Sequence, residues 1–166
     1  MPSLTENAPS AAVMQSVAEV VQAHQHLPGA LLPILHGVQD AVGYVPAAAV
    51  PVIAHALNLS RAEVHGMVSY YHHFRSEPAG RQVVQICRAE ACQAMGAQAL
   101  WAHACMHLGT DGPGTSTDGA VTLESVYCLG LCASSPAITV NGQLHARVGV
   151  DRLDHLLATA GEAPCA

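Results

Sequence analysis

The chain has 166 residues, of which 51% are hydrophobic and only 11% are charged. This composition is typical of a folded domain and excludes an intrinsically disordered chain. The formal net charge is −6, lysine is absent, and the six basic residues are arginines scattered along the sequence. Because nucleic-acid binding requires a concentrated basic surface, that class of function is excluded. The low charged fraction also predicts that partner proteins cover part of the surface.

The longest apolar runs are interrupted by His, Gln or Pro well before the roughly 18 residues that a membrane span requires. The first nine residues also lack the charged and apolar regions of a signal peptide. We therefore expect a soluble, cytoplasmic protein without a membrane partner. In the reducing cytoplasm, six cysteines indicate metal or redox chemistry rather than structural disulfides.

The first 75 residues have the apolar spacing of a small helical bundle. Apolar periodicity and breaking residues predict helices over 11–24, 31–43 and 50–57, and from residue 60 onward. Gly43 is well placed to end the second helix in a left-handed conformation. Ser60 and Glu63 stand at the spacing of a capping box, which predicts the start of the fourth helix.

The pattern changes after residues 77–80, where a β-prone run begins. Strands are predicted over 82–87, 120–127, 137–140 and 143–148, and helices over 91–108 and 150–159. The Asn141-Gly142 dipeptide predicts a two-residue hairpin turn, and residues 110–119 form a polar, glycine-rich loop that we expect to be mobile. The predicted fold class is α/β, with an N-terminal helical bundle over 1–79 and a domain over 80–166 that contains a small mixed sheet.

Two pairs of cysteines follow predicted strands. Cys87 and Cys92 have four residues between them, where a strand gives way to a helix. Cys128 and Cys132 have three residues between them, and Gly130 allows the backbone to wrap closely around a ligand. Two loops at strand ends can therefore present four thiolates to one metal centre.

Four thiolates suit either a structural zinc or an iron–sulfur cluster. The gaps of four and three residues, with 35 residues between the pairs, differ from the two-residue gaps frequent in zinc motifs. Leu129 and Leu131 give the site an apolar wall, which suits electron transfer. The ligand chemistry therefore favours a cluster and leaves a structural zinc interaction module, with four cysteine ligands, as the alternative. Since the sequence contains no C-x-x-C motif, a thioredoxin-like dithiol enzyme is excluded.

The two cysteine motifs, preceded by a helical region containing Gly43-Tyr44-Val45-Pro46, resemble the thioredoxin-like [2Fe–2S] subunits of the NADH-oxidising module of complex I. The resemblance extends over residues 28–158. Within that family, residues 87–93 (CRAEACQ) and 59–66 (LSRAEVHG) are most similar to the gamma subunits of soluble, molybdenum- or tungsten-containing, NAD-dependent formate dehydrogenases.

This resemblance implies a thioredoxin-like fold for residues 80–166 and one [2Fe–2S] cluster, with Cys87, Cys92, Cys128 and Cys132 as its ligands. The implied function is electron transfer in an NAD-dependent formate dehydrogenase, with no catalytic residue in this chain. The implied partners are a flavin-containing, NAD-reducing beta-type subunit and a molybdopterin-containing alpha-type subunit. FMN, NAD and molybdopterin would be bound by those partners alone.

Two alternatives within the family remain, the equivalent subunit of the complex I NADH module and that of an NAD-linked [NiFe] hydrogenase. The sequence departs from the resemblance at Ala133-Ser134-Ser135, where some relatives are expected to carry a further cysteine. That cysteine is not one of the four implied ligands, so the implied cluster is unaffected.

The other cysteines and the histidines have simpler interpretations. Cys105 lies at helical spacing from apolar neighbours, which predicts core packing, and Cys165, beside the C-terminus, is interpreted as an exposed thiol. His103 and His107 stand at the i, i+4 spacing of metal ligands, but no carboxylate motif accompanies them in the sequence. We therefore predict surface or interface positions for these histidines.

Overall fold

The computed structural model describes residues 9–160, and the chain divides into two compact units between Pro78 and Ala79. Each unit has a hydrophobic core of its own. None of the helices in the described range combines the length and the apolar character needed to cross a membrane.

The first unit consists of four helices. They are α1 (Ala11–His24), α2 (Leu31–Val42), α3 (Ala49–Leu57) and α4 (Arg61–Tyr70). The apolar positions that predicted them form its core, in which Val17, Ile34, Val38, Ile53 and Val64 are completely buried. The helical bundle predicted from periodicity is therefore confirmed.

The predicted helix ends are also present. Gly43 follows α2 with a φ of 89°, in the left-handed region that glycine adopts at little cost. The Glu63 N–H donates to Ser60 Oγ at 3.2 Å, and the Glu63 carboxylate accepts the Ser60 N–H at 2.8 Å. The hydrogen bonds from the Ser60 backbone and hydroxyl lower the pKa of Glu63. The capping box predicted at the start of α4 is thus formed.

A buried glutamine fixes the chain after α4. The side-chain amide of Gln39 donates to the His73 carbonyl at 2.8 Å and accepts the Arg75 N–H at 2.7 Å. The Arg75 carbonyl in turn accepts the Val45 N–H at 2.8 Å. Because a buried amide is costly without partners, these bonds stabilise one path for this segment.

The second unit contains a five-stranded mixed sheet. Its elements are β1 (Gln82–Cys87), α5 (Glu90–Ala94), α6 (Ala97–Leu108), β2 (Gly114–Thr115), β3 (Val121–Val126), β4 (Ile138–Val140), β5 (Gln143–His145) and α7 (Val150–Ala160). The strand order is β2-β3-β1-β4-β5, with β1 parallel to β3 and the other pairs antiparallel. The predicted α/β class and mixed sheet are confirmed.

The core of this unit lies between the sheet and two helices. Val84 and Ile86 of the central strand β1 are completely buried together with Leu123 of β3. Trp101 of α6 and Leu153 of α7 belong to the same buried cluster. The centre of the sheet is thereby held rigidly, which matters because β1 ends at a cysteine.

Three features of the second unit differ from the sequence-based prediction by more than one residue at an element end. The helix predicted over 91–108 is two helices, because Gly96 adopts a φ of 94° and interrupts the chain between α5 and α6. The loop predicted over 110–119 contains the short strand β2, whose Thr115 hydroxyl lies 2.8 Å from that of Thr122 on β3. Strand β5 ends at His145 rather than at residue 148. The hairpin turn is confirmed, since Asn141 and Gly142 both have positive φ.

Candidate metal centre

The first cysteine pair lies at the end of the central strand. Cys87 is the last residue of β1 and Cys92 lies in α5, and each is only 2% exposed. The Cys87 N–H donates to the Ala137 carbonyl at 3.1 Å, and the Arg88 N–H donates to the Val126 carbonyl at 2.8 Å. Backbone hydrogen bonds therefore hold the end of β1 to the segments on both sides of it, at Ala137 and Val126.

The second pair lies in the loop after β3. Cys128 and Cys132 are both exposed, and their Sγ atoms are 3.8 Å apart. Cys128 has a φ of 73° and Gly130 a φ of 79°, both in the left-handed region. The loop then enters a short 3₁₀ turn over Cys132–Ser134. Two left-handed residues close together let this loop turn both thiols to one side.

The two pairs meet at Cys87. Burial of Cys87 disfavours its thiolate, but hydrogen bonds from the Ala89 N–H, the Cys92 thiol, and the Leu129 and Cys128 N–H groups outweigh burial and lower the pKa of Cys87. Since two of these donors come from the loop after β3, both loops stabilise negative charge on the same sulfur.

Cys132 shows the opposite effect. Its thiol is hydrogen-bonded to Cys128, and this bond and the negative charge that Cys128 can carry raise the pKa of Cys132. Cys92 and Cys87 act in the same direction by charge repulsion. The structure thus brings all four predicted thiols into one electrostatic group, whose complete ionisation requires a cation to offset the repulsion.

Small and apolar residues surround the buried pair. Ala97 and Ala137 are completely buried against Cys87 and Cys92. The residues partly buried against this group are Ala89, Val126, Leu129 and Leu131. The apolar wall predicted at Leu129 and Leu131 is therefore present, and it limits the access of water to the sulfurs of Cys87 and Cys92.

Ser135 is a site residue that the sequence did not reveal. It is 8% exposed, its hydroxyl donates to the Cys132 carbonyl at 2.8 Å, and its Oγ lies 3.6 Å from the Cys92 Sγ. The side chain thereby connects the two pairs. No periodicity or motif indicates this role, because the contact with Cys92 spans 43 positions of the sequence.

Arg88 anchors the first cysteine loop. Its guanidinium donates to the Gln98 side chain at 2.8 Å and lies 5.0 Å from the centroid of the Trp101 ring. Both partners belong to α6, so these contacts hold the loop between β1 and α5 against that helix.

The donor set fits a sulfur-ligated metal centre. Two thiolates on one tetrahedral metal, at a metal–sulfur distance of about 2.3 Å, have sulfurs roughly 3.8 Å apart. The Cys128–Cys132 separation has this value. One pair is buried and one is exposed, and the four sulfurs suit the four ligand positions of a [2Fe–2S] cluster. A single tetrahedral zinc accepts the same donor set, so the geometry alone does not distinguish zinc from a [2Fe–2S] cluster.

Comparison with known proteins distinguishes between the cluster and zinc. A sequence profile of the thioredoxin-like [2Fe–2S] ferredoxins matches residues 17–161. The chain belongs to this family. The match extends over both units, so the helical bundle is part of the family's sequence pattern as well as the sheet that carries the cysteines. Because this family binds a [2Fe–2S] cluster, membership favours the cluster over zinc.

Individual relatives are subunits of larger oxidoreductases. The chain is 34% identical over 128 residues to a subunit of the NADH-quinone oxidoreductase of Rhizobium meliloti (strain 1021), covering 77% of this chain and 76% of the relative. It is 29% identical over 143 residues to the NADP-reducing hydrogenase subunit HndA of Solidesulfovibrio fructosivorans, covering 84% of each.

A solved structure shares the fold. The crystal structure of an NAD⁺-reducing [NiFe]-hydrogenase in the H₂-reduced state matches with a TM-score of 0.67 and 25% identity. The match covers 81% of this chain but only 22% of the hydrogenase chain. This chain therefore corresponds to about a fifth of that longer polypeptide.

The remaining cysteines lie apart from this group or outside the described range. Cys105 is half-buried and packs against the core of the second unit, in agreement with the predicted packing role. Cys165 falls outside the residues that the structure describes.

Proposed function

We propose that this chain is the electron-transfer subunit of a cytoplasmic, NAD-dependent formate dehydrogenase, with one [2Fe–2S] cluster bound by Cys87, Cys92, Cys128 and Cys132. The convergence of four thiols in a member of the thioredoxin-like [2Fe–2S] ferredoxin family carries the cluster assignment. The similarity of residues 87–93 and 59–66 to formate dehydrogenase gamma subunits supports the choice of parent enzyme.

The cluster would supply reversible one-electron transfer at this site, with a net charge of about −2 in its oxidised form. The residues of this chain determine how easily more negative charge is accepted. The N–H groups of Ala89, Cys128 and Leu129 point at the Cys87 sulfur and offset part of the charge. The apolar packing of Leu129 and Leu131 opposes this effect by excluding water.

The two cysteine pairs differ in exposure, so the site has a buried side and a solvent-facing side. Cys87 and Cys92 face the interior, whereas Cys128 and Cys132 lie at the surface beside Tyr127, which is 72% exposed. Because electron transfer requires close approach of two cofactors, we propose that the redox partner docks over residues 127–132. The proposed partner is the flavin-containing, NAD-reducing beta-type subunit, which would connect this chain to a molybdopterin-containing alpha-type subunit.

In this proposal the chain has no catalytic activity alone. A flavin accepts electron pairs from a hydride, whereas an iron–sulfur centre exchanges single electrons. FMN, NAD and molybdopterin would therefore be bound by the partners, and formate oxidation and NAD reduction would take place there.

Anaerobic affinity purification from cells that express the tagged chain tests the parent enzyme. The expected result is a complex containing flavin and molybdopterin subunits that reduces NAD with formate, while the isolated chain is inactive. Co-purification with quinone-reducing membrane subunits would instead assign the chain to complex I, and with a nickel–iron subunit to a hydrogenase. Formate-dependent NAD reduction by the isolated chain would contradict the subunit role itself.

Metal analysis of the anaerobically purified chain tests the cofactor. Iron and acid-labile sulfide should be present in equal amounts, with the visible absorption of a [2Fe–2S] centre and an EPR signal that develops on reduction. One zinc per chain without iron or sulfide would replace the cluster by the structural zinc alternative.

A further inference from the structure

A second group of metal-binding side chains lies between α6 and α7. His103 and His107 are one turn apart on α6, and Asp154 faces them from α7. His103 Nε2 is 2.7 Å from Asp154 Oδ1, and His107 Nδ1 is 4.0 Å from the same oxygen. The two imidazole rings are stacked, with centroids 6.2 Å apart. All three ligand atoms lie within 4.8 Å of one another.

The predicted surface positions of the two histidines are confirmed, but the structure adds a carboxylate partner. In the sequence they lack an accompanying carboxylate, which is why the sequence predicts surface positions for them. The side chains are partly exposed, at 27% for His103 and 49% for His107. The packing of α7 against α6 nevertheless supplies the missing carboxylate from a distant part of the chain.

We propose that His103, His107 and Asp154 bind a divalent transition-metal ion of the Zn²⁺ class. Two imidazoles and one carboxylate form an established zinc donor set, with the fourth position left to water or another ligand. The carboxylate also contributes the negative charge that attracts the ion. None of the three residues belongs to the cysteine site, so this metal would be bound in addition to the cluster.

The distances suit this ion after a small adjustment. Ligand atoms at about 2.0–2.1 Å from a tetrahedral zinc are roughly 3.3 Å from one another. The two distances from Asp154 Oδ1, 2.7 and 4.0 Å, lie on either side of that value. The two histidine nitrogens lie within 4.8 Å of each other, so they too must come closer. All three side chains are partly exposed, which leaves room for the rings and the carboxylate to turn towards one ion.

In the cluster-loaded protein the four thiolates are already bound to iron, so they do not compete for added zinc. The imidazole and carboxylate ligands of this site suit zinc, nickel or copper ions from solution. A bound ion would connect α6 to α7, both of which contribute to the core of the second unit. Zinc should therefore stabilise the folded protein by mass action.

Zinc titration of the cluster-loaded full chain tests the proposal. Wild-type protein should bind one zinc per chain without any change in the visible absorption of the cluster, which excludes binding at the four cluster ligands. His103→Gln and His107→Gln should each weaken zinc affinity by at least about tenfold. The affinity of the wild-type protein should also fall as the pH is lowered, because protons compete with zinc for the imidazole nitrogens.

Two further variants separate a metal site from a simple hydrogen bond. Asp154→Asn keeps a side chain that can bond to His103 but removes the charge, so it should preserve folding while weakening zinc binding. His55→Gln, an exposed histidine of the first unit, is the matched control and should bind zinc like the wild type. Zinc should raise the unfolding temperature of the wild type and of this control only. Equal zinc affinity in the wild type and the His103, His107 and Asp154 variants would overturn the proposal, as would the absence of zinc binding to the wild type.

Discussion

The two cysteine pairs are built in different ways. Cys87 and Cys92 are buried at the end of the central strand, where backbone hydrogen bonds to both sides fix the chain. Cys128 and Cys132 are exposed in a loop whose shape depends on left-handed residues, of which Gly130 is one. The sheet thus determines one half of the site, and local backbone conformation determines the other.

This difference extends to charge. The buried Cys87 receives N–H donors that lower its pKa despite burial, whereas thiol neighbours raise the pKa of the exposed Cys132. The hydrogen bonds around the buried pair therefore stabilise a thiolate at Cys87. In the exposed pair, both thiols ionise only when a metal ion offsets the repulsion between their charges. Variants in the two halves should consequently differ in severity.

Cysteine-to-serine substitutions should have the largest effect. Cys87→Ser and Cys92→Ser should abolish the cluster, because the shorter oxygen ligand cannot approach the metal within a closely packed, hydrogen-bonded segment. Cys128→Ser and Cys132→Ser should retain a fraction of it, since the exposed loop can adjust. Iron and sulfide content with the visible spectrum measures the difference. Equal loss in all four variants would show that the two halves are equally rigid.

Gly130→Ala should have the next largest effect. No atom lies within 4 Å of the added Cβ, so the cost comes from the φ of 79° alone. A left-handed conformation costs a non-glycine residue about 1–2 kcal/mol. We expect a lower unfolding temperature and faster loss of the cluster in air. Gly112→Ala is the matched control, because it also has open space but no positive φ. If both variants behave alike, the loop conformation does not limit cluster stability.

Ser135→Ala should have a smaller effect that involves both pairs. It removes the hydroxyl between Cys92 and the Cys132 carbonyl. In the cluster-loaded protein Cys92 is a thiolate without a proton, so the hydroxyl acts on the cluster only by donating to the Cys92 sulfur. If that bond contributes about 0.5–1.5 kcal/mol to one redox state, the potential should shift by roughly 20–65 mV. Redox titration by EPR measures the shift. Ser134→Ala, at the neighbouring position, is the control and should leave the potential unchanged. A shift of equal size in Ser134→Ala would show that the Ser135 hydroxyl has no specific effect on the potential.

Cys105→Ala and Cys165→Ala should have the smallest effect on the cluster. Cys105 packs against the core of the second unit apart from the four thiols, so its loss should reduce stability slightly without altering cluster content. Cys165 is predicted to be an exposed thiol beside the C-terminus. The visible spectrum of each purified variant provides the check. Loss of the cluster in either variant would mean that the ligand set is wrongly assigned.

Most of the regular elements could be predicted, because their signals are local. The apolar faces of α1 to α3, the capping box of α4 and the Asn141-Gly142 turn depend on residues a few positions apart. The break at Gly96 and the short strand β2 could not be predicted from the sequence. The helical composition on both sides of Gly96 obscured the break, and the two residues of β2 become a strand only by pairing with β3.

The features of the site also differ in whether the sequence alone predicts them. The sequence by itself indicated the four cysteines as candidate ligands and predicted the apolar wall and the family, because thiol spacing and residue type are visible without a fold. Only the tertiary structure placed the Ser135 hydroxyl between the two pairs and the Asp154 carboxylate against His103. The contacts of Ser135 with Cys92 and of Asp154 with His103 span 43 and 51 positions of the sequence. Such contacts depend on how strands and helices pack, and no local pattern of residues encodes that packing.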